Sequence, residues 1–298
     1  MKTRNVTPRL QEGDLLVFDV DGVLIDTRRS YPLVIRAAIQ LGWRKMLGLK
    51  TDCTGFSFEH FRVSKRHPGF NDDYDIAWAL LSVAAARARV SKDPRLSRSM
   101  PSPEEWESTL KEFPPADVVQ HTCSRFGDPV GRDRFRDVCE ELYLGEHFSG
   151  SEKFTALKRG LWHQEKPLLD VHWSELPLPV AIYTGRFLPE LKLALIRLGW
   201  EDFPPDRVVT PETGISKPSP DGFSRLCQVT GTRFPIYFGD TESDRESLRR
   251  FGRGVFVSIG GMLPEEPLRF ETVAEALAAL GFWNGKVSAG SGSTGCAR

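Results

Sequence analysis

The most constraining feature of the chain is an apolar run, 15–18, that leads into two aspartates two positions apart. Four consecutive apolar residues are typical of a strand that is buried on both faces of a parallel sheet. Asp19 and Asp21 follow at the carboxyl end of that strand, which is the edge where open α/β sheets bind their ligands. Because grouped carboxylates are costly unless a cation or a reaction uses them, the segment predicts a functional site there.

Further polar groups later in the chain could join the same site. They are Thr184 with Gly185 and Arg186 after the apolar run 180–183, Lys217 in a loop, and Asp240 with Asp244 after the run 234–238. Taken singly, each has an ordinary interpretation: Asp240 could cap a helix, and Lys217 could be a surface lysine. Their order along the chain and their positions after predicted strands favour one shared site.

Two patterns divide the chain. From about residue 172 onward, short apolar runs alternate with helical segments, which predicts βαβ units and a parallel sheet. The part before it is helical in pattern, at 30–42, at 73–90, from Pro103 onward and at 132–144. We therefore expect an α/β core that is interrupted in sequence by a large helical insertion.

The strand-end segments resemble the four motifs of the haloacid dehalogenase superfamily, in its phosphatase branch, which includes phosphoglycolate phosphatase-like enzymes. The motifs match residues 19–23, Thr184 with Gly185, Lys217, and Asp240 with Asp244. The resemblance implies a Rossmann-like α/β core with a parallel sheet, and a helical cap inserted after the first motif. The expected boundaries are 10–28 and 172–283 for the core, 29–171 for the cap, and 284–298 for a flexible Gly- and Ser-rich tail.

The resemblance also implies catalytic roles for the motif residues. Asp19 would attack phosphorus as the nucleophile and form an aspartyl-phosphate. Asp21 would protonate the leaving alcohol and then activate water as a general base. Thr184, Gly185 and Lys217 would bind the phosphoryl group.

A divalent cation is expected at the same edge, because several aspartates that converge there repel one another. Two unit charges about 4 Å apart interact by about 4 kcal/mol at an effective dielectric constant of about 20. Mg²⁺ is a hard cation that takes carboxylate oxygens, waters and a substrate phosphate as ligands. By resemblance, Asp19 and Asp240 would supply carboxylate oxygens and Asp21 its backbone carbonyl. Asp244 would support the metal site through a water or a hydrogen bond.

Two parts of the sequence are candidates for contacts with a substrate. Arg186 directly follows the phosphate-binding motif, where it could contact the substrate or form a surface ion pair. The run 67–75 is polar and turn-rich and precedes a helix, so it could be an ordinary turn with a helix cap. It could also be a specificity loop that faces the core, in which case Asn71 and Asp72 would contact the substrate.

Asp21 bears on which reaction the core performs. In the resembling family, dehalogenases lack an acid at this position, whereas phosphatases use it to protonate the leaving alcohol. We therefore expect a Mg²⁺-dependent phosphatase that hydrolyses a small phosphorylated metabolite through an aspartyl-phosphate. Two alternatives stay open: a phosphomutase that acts on a sugar phosphate, and a non-catalytic binding or regulatory protein on the same core.

Composition narrows the partners. Lys plus Arg and Asp plus Glu both number 40, so the net charge of zero argues against a general nucleic-acid binder. No apolar stretch is long enough to span a bilayer, and the amino terminus has no secretory pattern. The five cysteines form no C-x-x-C pair, which is typical of free thiols in a reducing compartment. We expect a cytoplasmic protein whose partner is a small-molecule phosphate ester, with no nucleic acid and no membrane; the oligomeric state is not predicted.

Overall fold

A six-stranded parallel sheet forms the centre of the computed structural model, which describes residues 10–50, 52–70, 72–114 and 117–283. Its strands run in the order β5-β4-β1-β6-β7-β8. They are β1 Leu15–Phe18, β4 Val180–Tyr183, β5 Val208–Val209, β6 Pro235–Gly239, β7 Val255–Ile259 and β8 Arg269–Phe270. The parallel α/β class expected from the alternating pattern is confirmed.

The first strand in sequence lies in the middle of this sheet. β1 pairs with β4 on one side and with β6 on the other, so that Leu16 is aligned with both Val180 and Ile236. All four residues of β1 have no exposed surface, as expected for a strand buried on both faces. The carboxyl ends of β1, β4 and β6 therefore lie side by side at one edge of the sheet.

Helices cover both faces of the sheet. They are α8 Leu188–Leu198, α9 Asp221–Thr230, α10 Glu242–Phe251 and α11 Val273–Ala279. Leu16 and Phe18 of β1 pack on the face that carries α8 and α11, whereas Leu15 and Val17 pack on the face that carries α9 and α10. This alternation follows from the two-residue period of a strand.

A helical segment separates β1 from β4 in the sequence. Its helices are α1 Tyr31–Leu41, α2 Phe58–Lys65, α3 Asp73–Ser91, α4 Leu96–Ser99, α5 Pro103–Leu110, α6 Val118–Phe126 and α7 Arg132–Leu144. One hydrophobic cluster holds them together and includes the fully buried Trp43 and Trp106. Leu193 of α8 also belongs to this cluster, so apolar contacts cross the boundary that we expect between cap and core.

The ends of these helices follow capping rules that the sequence carries. Ser102 and Glu105 form a capping box around Pro103, which confirms the helix start predicted there. Asp72 accepts a hydrogen bond of 3.0 Å from the backbone N–H of Tyr74 and so caps α3.

Three strands were not predicted from the sequence, because each is only two residues long and too short to show an alternating hydrophobic pattern. β2 Ile25–Asp26 and β3 Lys166–Pro167 form a small antiparallel pair where the chain leaves and re-enters the core. The third is the edge strand β8. Among the described residues, no helix combines the length and the apolar composition that crossing a bilayer requires. Asn71 and the expected tail 284–298 lie outside the described residues.

Candidate active site

Asp19 and Asp240 meet because the strands that precede them are neighbours. β1 and β6 pair in a register that aligns Phe18 with Phe238, so the next acid on each strand emerges at the same edge. In the described part of the chain, Asp19, Asp240 and Asp244 each offer a carboxylate oxygen, and these atoms lie within 4.8 Å of one another. The fold thus brings together three of the four aspartates expected around a metal ion.

Lys217 lies between two of these acids. Its Nζ is 2.7 Å from Oδ1 of Asp19 and 2.5 Å from Oδ1 of Asp244. Only 6% of the Lys217 surface is exposed, so the alternative of a surface lysine is wrong. The two carboxylates raise the pKa of Lys217 above its usual value although burial lowers it, so the ammonium stays charged.

Asp244 is fixed by protein donors on both of its oxygens. Oδ1 accepts a hydrogen bond of 2.5 Å from the Tyr237 hydroxyl, and Oδ2 accepts one of 2.6 Å from Oγ1 of Thr241. The backbone N–H of Asp240 also donates to Oδ2, at 3.2 Å. Asp244 thereby connects the β6–α10 turn to Lys217. This position suits a residue that orients the groups in contact with a metal or substrate.

The pKa values of the aspartates at this edge shift in different directions. Burial, followed by the neighbouring Asp244 and Asp21, raises the pKa of Asp19 to about 7, although Lys217 opposes the shift. Burial, Asp244 and Asp19 raise the pKa of Asp240 well above its usual value. Burial would raise the pKa of Asp244 too, but Lys217 and the hydrogen bonds from Thr241 and Tyr237 leave it below the usual value.

The acids fit a hard divalent cation. Oδ1 of Asp240 is buried and has no hydrogen-bond partner among the described residues, although the residue as a whole is partly exposed. An enclosed carboxylate oxygen without a donor costs free energy unless a cation or a proton reaches it. Asp19 and Asp240 are therefore the residues best placed to hold such a cation through oxygen ligands.

Two glycines let the backbone approach these carboxylates. Gly22 has φ +73°, and a Cβ built on it would collide with the carboxylate of Asp240. A Cβ on Gly239 would lie 2.6 Å from Cβ of Asp244. Both positions therefore require glycine for the site to keep its shape.

The phosphate-binding candidates Thr184 and Gly185 border a cavity that Lys217 also lines. Thr184 follows β4 and is 2% exposed, and its Oγ1 accepts a hydrogen bond of 3.1 Å from the backbone N–H of Arg186. A cavity of about 220 Å³ is lined there by Thr184, Gly185, Ser216, Lys217, Phe187 and Pro211, and by Gly69, Asp72 and Asp75 of the helical segment. The structure thus joins the second and third motifs in one cavity.

Arg186 is buried, with 1% of its surface exposed, so the expected alternative of a surface ion pair is wrong. Its Nε donates to Oδ1 of Asp21 at 2.7 Å, and its Nη2 contacts both oxygens of Glu165 at 3.1 and 3.2 Å. Its Nη1 donates to the hydroxyl of Tyr143 at 2.8 Å and to the carbonyl of Glu190 at 3.4 Å. These contacts direct the guanidinium at protein groups and not at open space, so the expected substrate contact by Arg186 has no donor to make it.

The loop before α3 faces the core. Asp72 lines the cavity beside Thr184 and also forms an ion pair with Arg136 of α7. The next residue, Asp73, is buried and lies 2.9 Å from Nζ of Lys65. Asp72 is therefore a helix cap that also borders the cavity, and the contact with a substrate stays a prediction.

Sequence reasoning missed three residues of this site. Lys65 lines a cavity of about 430 Å³ with Asp21 and Asp240, and Glu165 and Tyr143 surround Arg186. None of the three lies in a motif or after a predicted strand. The one available signal was the helical spacing that puts Tyr143 on the buried face of α7.

These features define a Rossmann-like α/β protein whose acids and lysine converge at the carboxyl edge of the sheet. The structure is similar to that of phosphatase Tt82 from Thermococcus thioreducens, with 25% identity, a TM-score of 0.61, and coverage of 90% of this chain and 99% of that one. It also matches a protein described as a predicted phosphoglycolate phosphatase from Haemophilus somnus, at 14% identity and a TM-score of 0.52, covering 90% of this chain and 98% of that one. This second likeness concerns the fold alone.

No protein-family model and no curated protein sequence matches the chain. The fold, the motif geometry and the structural likeness to Tt82 nevertheless indicate the same class of protein. In fold and motif geometry the chain resembles the phosphatases of the haloacid dehalogenase superfamily.

Proposed function

We propose that the protein is a phosphatase that hydrolyses a phosphate monoester of a small metabolite through an aspartyl-phosphate intermediate. The observation that carries the proposal is the buried ion pair between Lys217 and Asp19, with the Asp240 carboxylate beside it. A carboxylate that is oriented by a lysine and lies next to a cavity with phosphate-binding groups is suited to attack phosphorus. A non-catalytic binder would not require all of these groups together.

In the first step, a carboxylate oxygen of Asp19 attacks phosphorus and the bond from phosphorus to the ester oxygen breaks. Asp21 starts this step protonated and gives its proton to the departing oxygen, so that a neutral alcohol leaves. Lys217 offsets negative charge on the transferring group, and the Thr184 hydroxyl and Gly185 N–H donate to its oxygens.

In the second step, Asp21 is a carboxylate and takes a proton from water. The resulting hydroxide attacks phosphorus, the bond from phosphorus to Asp19 breaks, and inorganic phosphate leaves. Asp19 returns as a carboxylate and Asp21 is again protonated. One water is consumed for each ester, and one alcohol and one phosphate are formed.

Mg²⁺ is the proposed cofactor, held by carboxylate oxygens of Asp19 and Asp240 and by the backbone carbonyl of Asp21. When bound, it would neutralise negative charge on the phosphoryl group and on the acids themselves. The enclosed Oδ1 of Asp240 and the raised pKa of its carboxyl support this assignment, because both conditions favour a cation next to the group. Asp244 is proposed to support the site through its hydrogen bonds.

The helical segment is proposed to act as a cap, residues 29–171, that encloses the organic part of the substrate. The cavity of about 430 Å³ between the sheet edge and α2 supports this role, because Asp21 and Asp240 share it with Phe58, Phe61 and Lys65. Its size suits a metabolite larger than a few atoms. Asp72 is proposed to contact the substrate from the neighbouring cavity; Asn71 keeps the same proposed role on sequence grounds alone.

The test is turnover of p-nitrophenyl phosphate with Mg²⁺, followed by a screen of phosphorylated metabolites. We expect release of inorganic phosphate by the wild-type protein and none by Asp19→Asn. A phosphomutase would instead convert one sugar phosphate into its isomer without releasing phosphate. Folded protein that does neither with any ester would overturn the proposal in favour of a binding protein.

A further inference from the structure

The carboxylate of Asp21 is held by a buried arginine. Both Nε and Nη2 of Arg186 contact Oδ1 of Asp21, at 2.7 and 2.6 Å. The hydrogen bond from Nε of Arg186 goes to Oδ1 and not to the second oxygen, Oδ2. The Asp21 side chain is 22% exposed and lines two cavities, so it is anchored on one oxygen while it borders open space.

Arg186 is in turn held by the helical segment. Nη2 donates hydrogen bonds to the carboxylate of Glu165, and Nη1 donates one to the hydroxyl of Tyr143. The guanidinium carbon lies 5.5 Å from the ring centre of Tyr31. Tyr143 and Ser30 donate to Oε1 of Glu165, at 3.1 and 2.7 Å. Every nitrogen of the guanidinium therefore has a protein acceptor, and the acceptor Glu165 is itself held in place.

The charges explain why this arrangement is stable. Glu165 and Arg186 are 2% and 1% exposed, and each would be costly to bury alone. Asp21 and Glu165 together outweigh the effect of burial and raise the pKa of Arg186 well above its usual value. The cation therefore stays charged beside Asp21 and Glu165, and each of its nitrogens already donates to a protein acceptor.

We propose that Arg186 is a positioning residue that fixes the orientation of Asp21 for proton transfer, and that Glu165 and Tyr143 fix Arg186. The inference rests on the proposed phosphatase function and extends it to residues outside the four motifs. Proton transfer requires a distance of about 2.6–3.2 Å between donor and acceptor, so an acid free to rotate would be misplaced for much of the time. Contacts from Arg186 to Oδ1 restrict the rotation of the Asp21 carboxyl group.

The leaving group distinguishes this role from a purely structural one. An alkoxide needs a proton when it leaves, whereas p-nitrophenolate is a weak base that leaves with little help. Glu165→Gln keeps the shape of the side chain but removes the charge that holds Arg186. We expect kcat/KM for the best alkyl phosphate of the screen to fall on the order of 10- to 100-fold, part of the roughly 10²–10⁴-fold contribution of a general acid. The value for p-nitrophenyl phosphate should stay within about threefold of wild type.

The matched control is Glu141→Gln. Glu141 is as buried as Glu165 and also accepts hydrogen bonds, from the backbone of Phe154 and Thr155, but it does not contact Arg186 or Asp21. It should leave the ratio of alkyl to aryl kcat/KM unchanged. If Glu165→Gln folds poorly because Arg186 loses its partner, the pair Arg186→Gln with Glu165→Gln removes both charges at once and should show the same selective loss.

A thermodynamic cycle closes the test. In an Asp21→Asn background, adding Glu165→Gln should change the single-turnover rate for the alkyl phosphate by less than about twofold, because its effect acts through Asp21. Equal losses for alkyl and aryl esters in the single variant, or an undiminished effect in the Asp21→Asn background, would overturn the inference. Absence of turnover in the wild-type protein would instead count against the proposed function.

Discussion

The ammonium group of Lys217 lies 2.7 Å from Oδ1 of Asp19, in a pair that is almost entirely buried. The same ammonium lies 2.5 Å from Oδ1 of Asp244, so one cation orients the proposed nucleophile and its support together. Because of this geometry, we expect that no other residue can take over the role of Asp19.

We therefore predict that Asp19→Asn folds but loses catalysis by about 10³-fold or more, because an amide cannot form the covalent intermediate. Lys217 keeps its contact with Asp244, so the thermal midpoint should change by only a few degrees. Steady-state turnover of p-nitrophenyl phosphate and a melting curve check both parts. Asp133→Asn, whose side chain is 98% exposed, serves as the control. Turnover near the wild-type level would remove Asp19 from the mechanism.

Metal removal gives a second prediction. Because Asp19 and Asp240 repel each other in a buried site, Mg²⁺ should stabilise the folded protein as well as activate it. We expect chelation by EDTA to abolish turnover, and added Mg²⁺ to restore it and to raise Tm. Asp240→Asn should lose most of this Tm increase. Full activity after exhaustive chelation would show that the acids do not need a cation.

A third prediction concerns pH and stability. Burial raises the pKa of Glu190 to about 8 from an ordinary value of 4.5, although the Tyr74 hydroxyl and Arg186 oppose the shift. The folded state thus binds a proton more tightly than the unfolded state, so this group stabilises the fold less and less as pH rises from about 4.5 to 8. Glu190→Gln should remove that slope, which amounts to at most about 1.4 kcal/mol per pH unit.

Urea unfolding of the wild-type protein and of Glu190→Gln at pH 5 and pH 8 measures this pH dependence of the free energy of unfolding. Groups such as Asp73, with a pKa of about 6, titrate in both proteins, so the difference between the two isolates Glu190. The variant should gain stability relative to wild type on going from pH 5 to pH 8. An unchanged difference would mean that Glu190 has an ordinary pKa.

A glycine substitution tests the close approach at the metal site. Gly22→Ala and Gly231→Ala both place a side chain at positive φ, +73° and +70°, at a backbone cost of about 1–2 kcal/mol. The new methyl group at Gly22 would displace the Asp240 carboxylate, whereas at Gly231 nothing lies within 4 Å. Only Gly22→Ala should therefore raise the Mg²⁺ concentration that gives half-maximal activity. A similar rise in both variants would assign the effect to backbone strain.

The final prediction separates the two roles of Asp72. Asparagine caps helices about as well as aspartate, so Asp72→Asn should keep the stability of α3 while it weakens the pair with Arg136. We expect the order of preference among phosphorylated metabolites to change, with p-nitrophenyl phosphate little affected. An unchanged order of preference would leave Asp72 as a helix cap only.

The sequence allowed prediction of the sheet edge because strand ends have a pattern. A buried run followed by an acid can be recognised in one dimension, and parallel pairing then brings Asp19, Thr184 and Asp240 together. The network around Arg186 could not be predicted in this way. Its contacts join Arg186 to Asp21, Tyr143 and Glu165, which are 165, 43 and 21 positions away in the sequence. These separations match no helix or strand period, so no sequence pattern marks the contacts. Such contacts depend on how the helical segment packs on the core.

The central position of β1 has a consequence for synthesis of the chain. Its neighbours β4 and β6 begin at residues 180 and 235, so this fully buried strand leaves the ribosome long before either partner exists. At about 5–20 residues per second, the delay before β4 is made is on the order of ten seconds or more. Helices α1 to α7 can form within that time, because their hydrogen bonds are local. We expect the helical segment to fold first, with the nascent sheet vulnerable to aggregation until its last strands emerge.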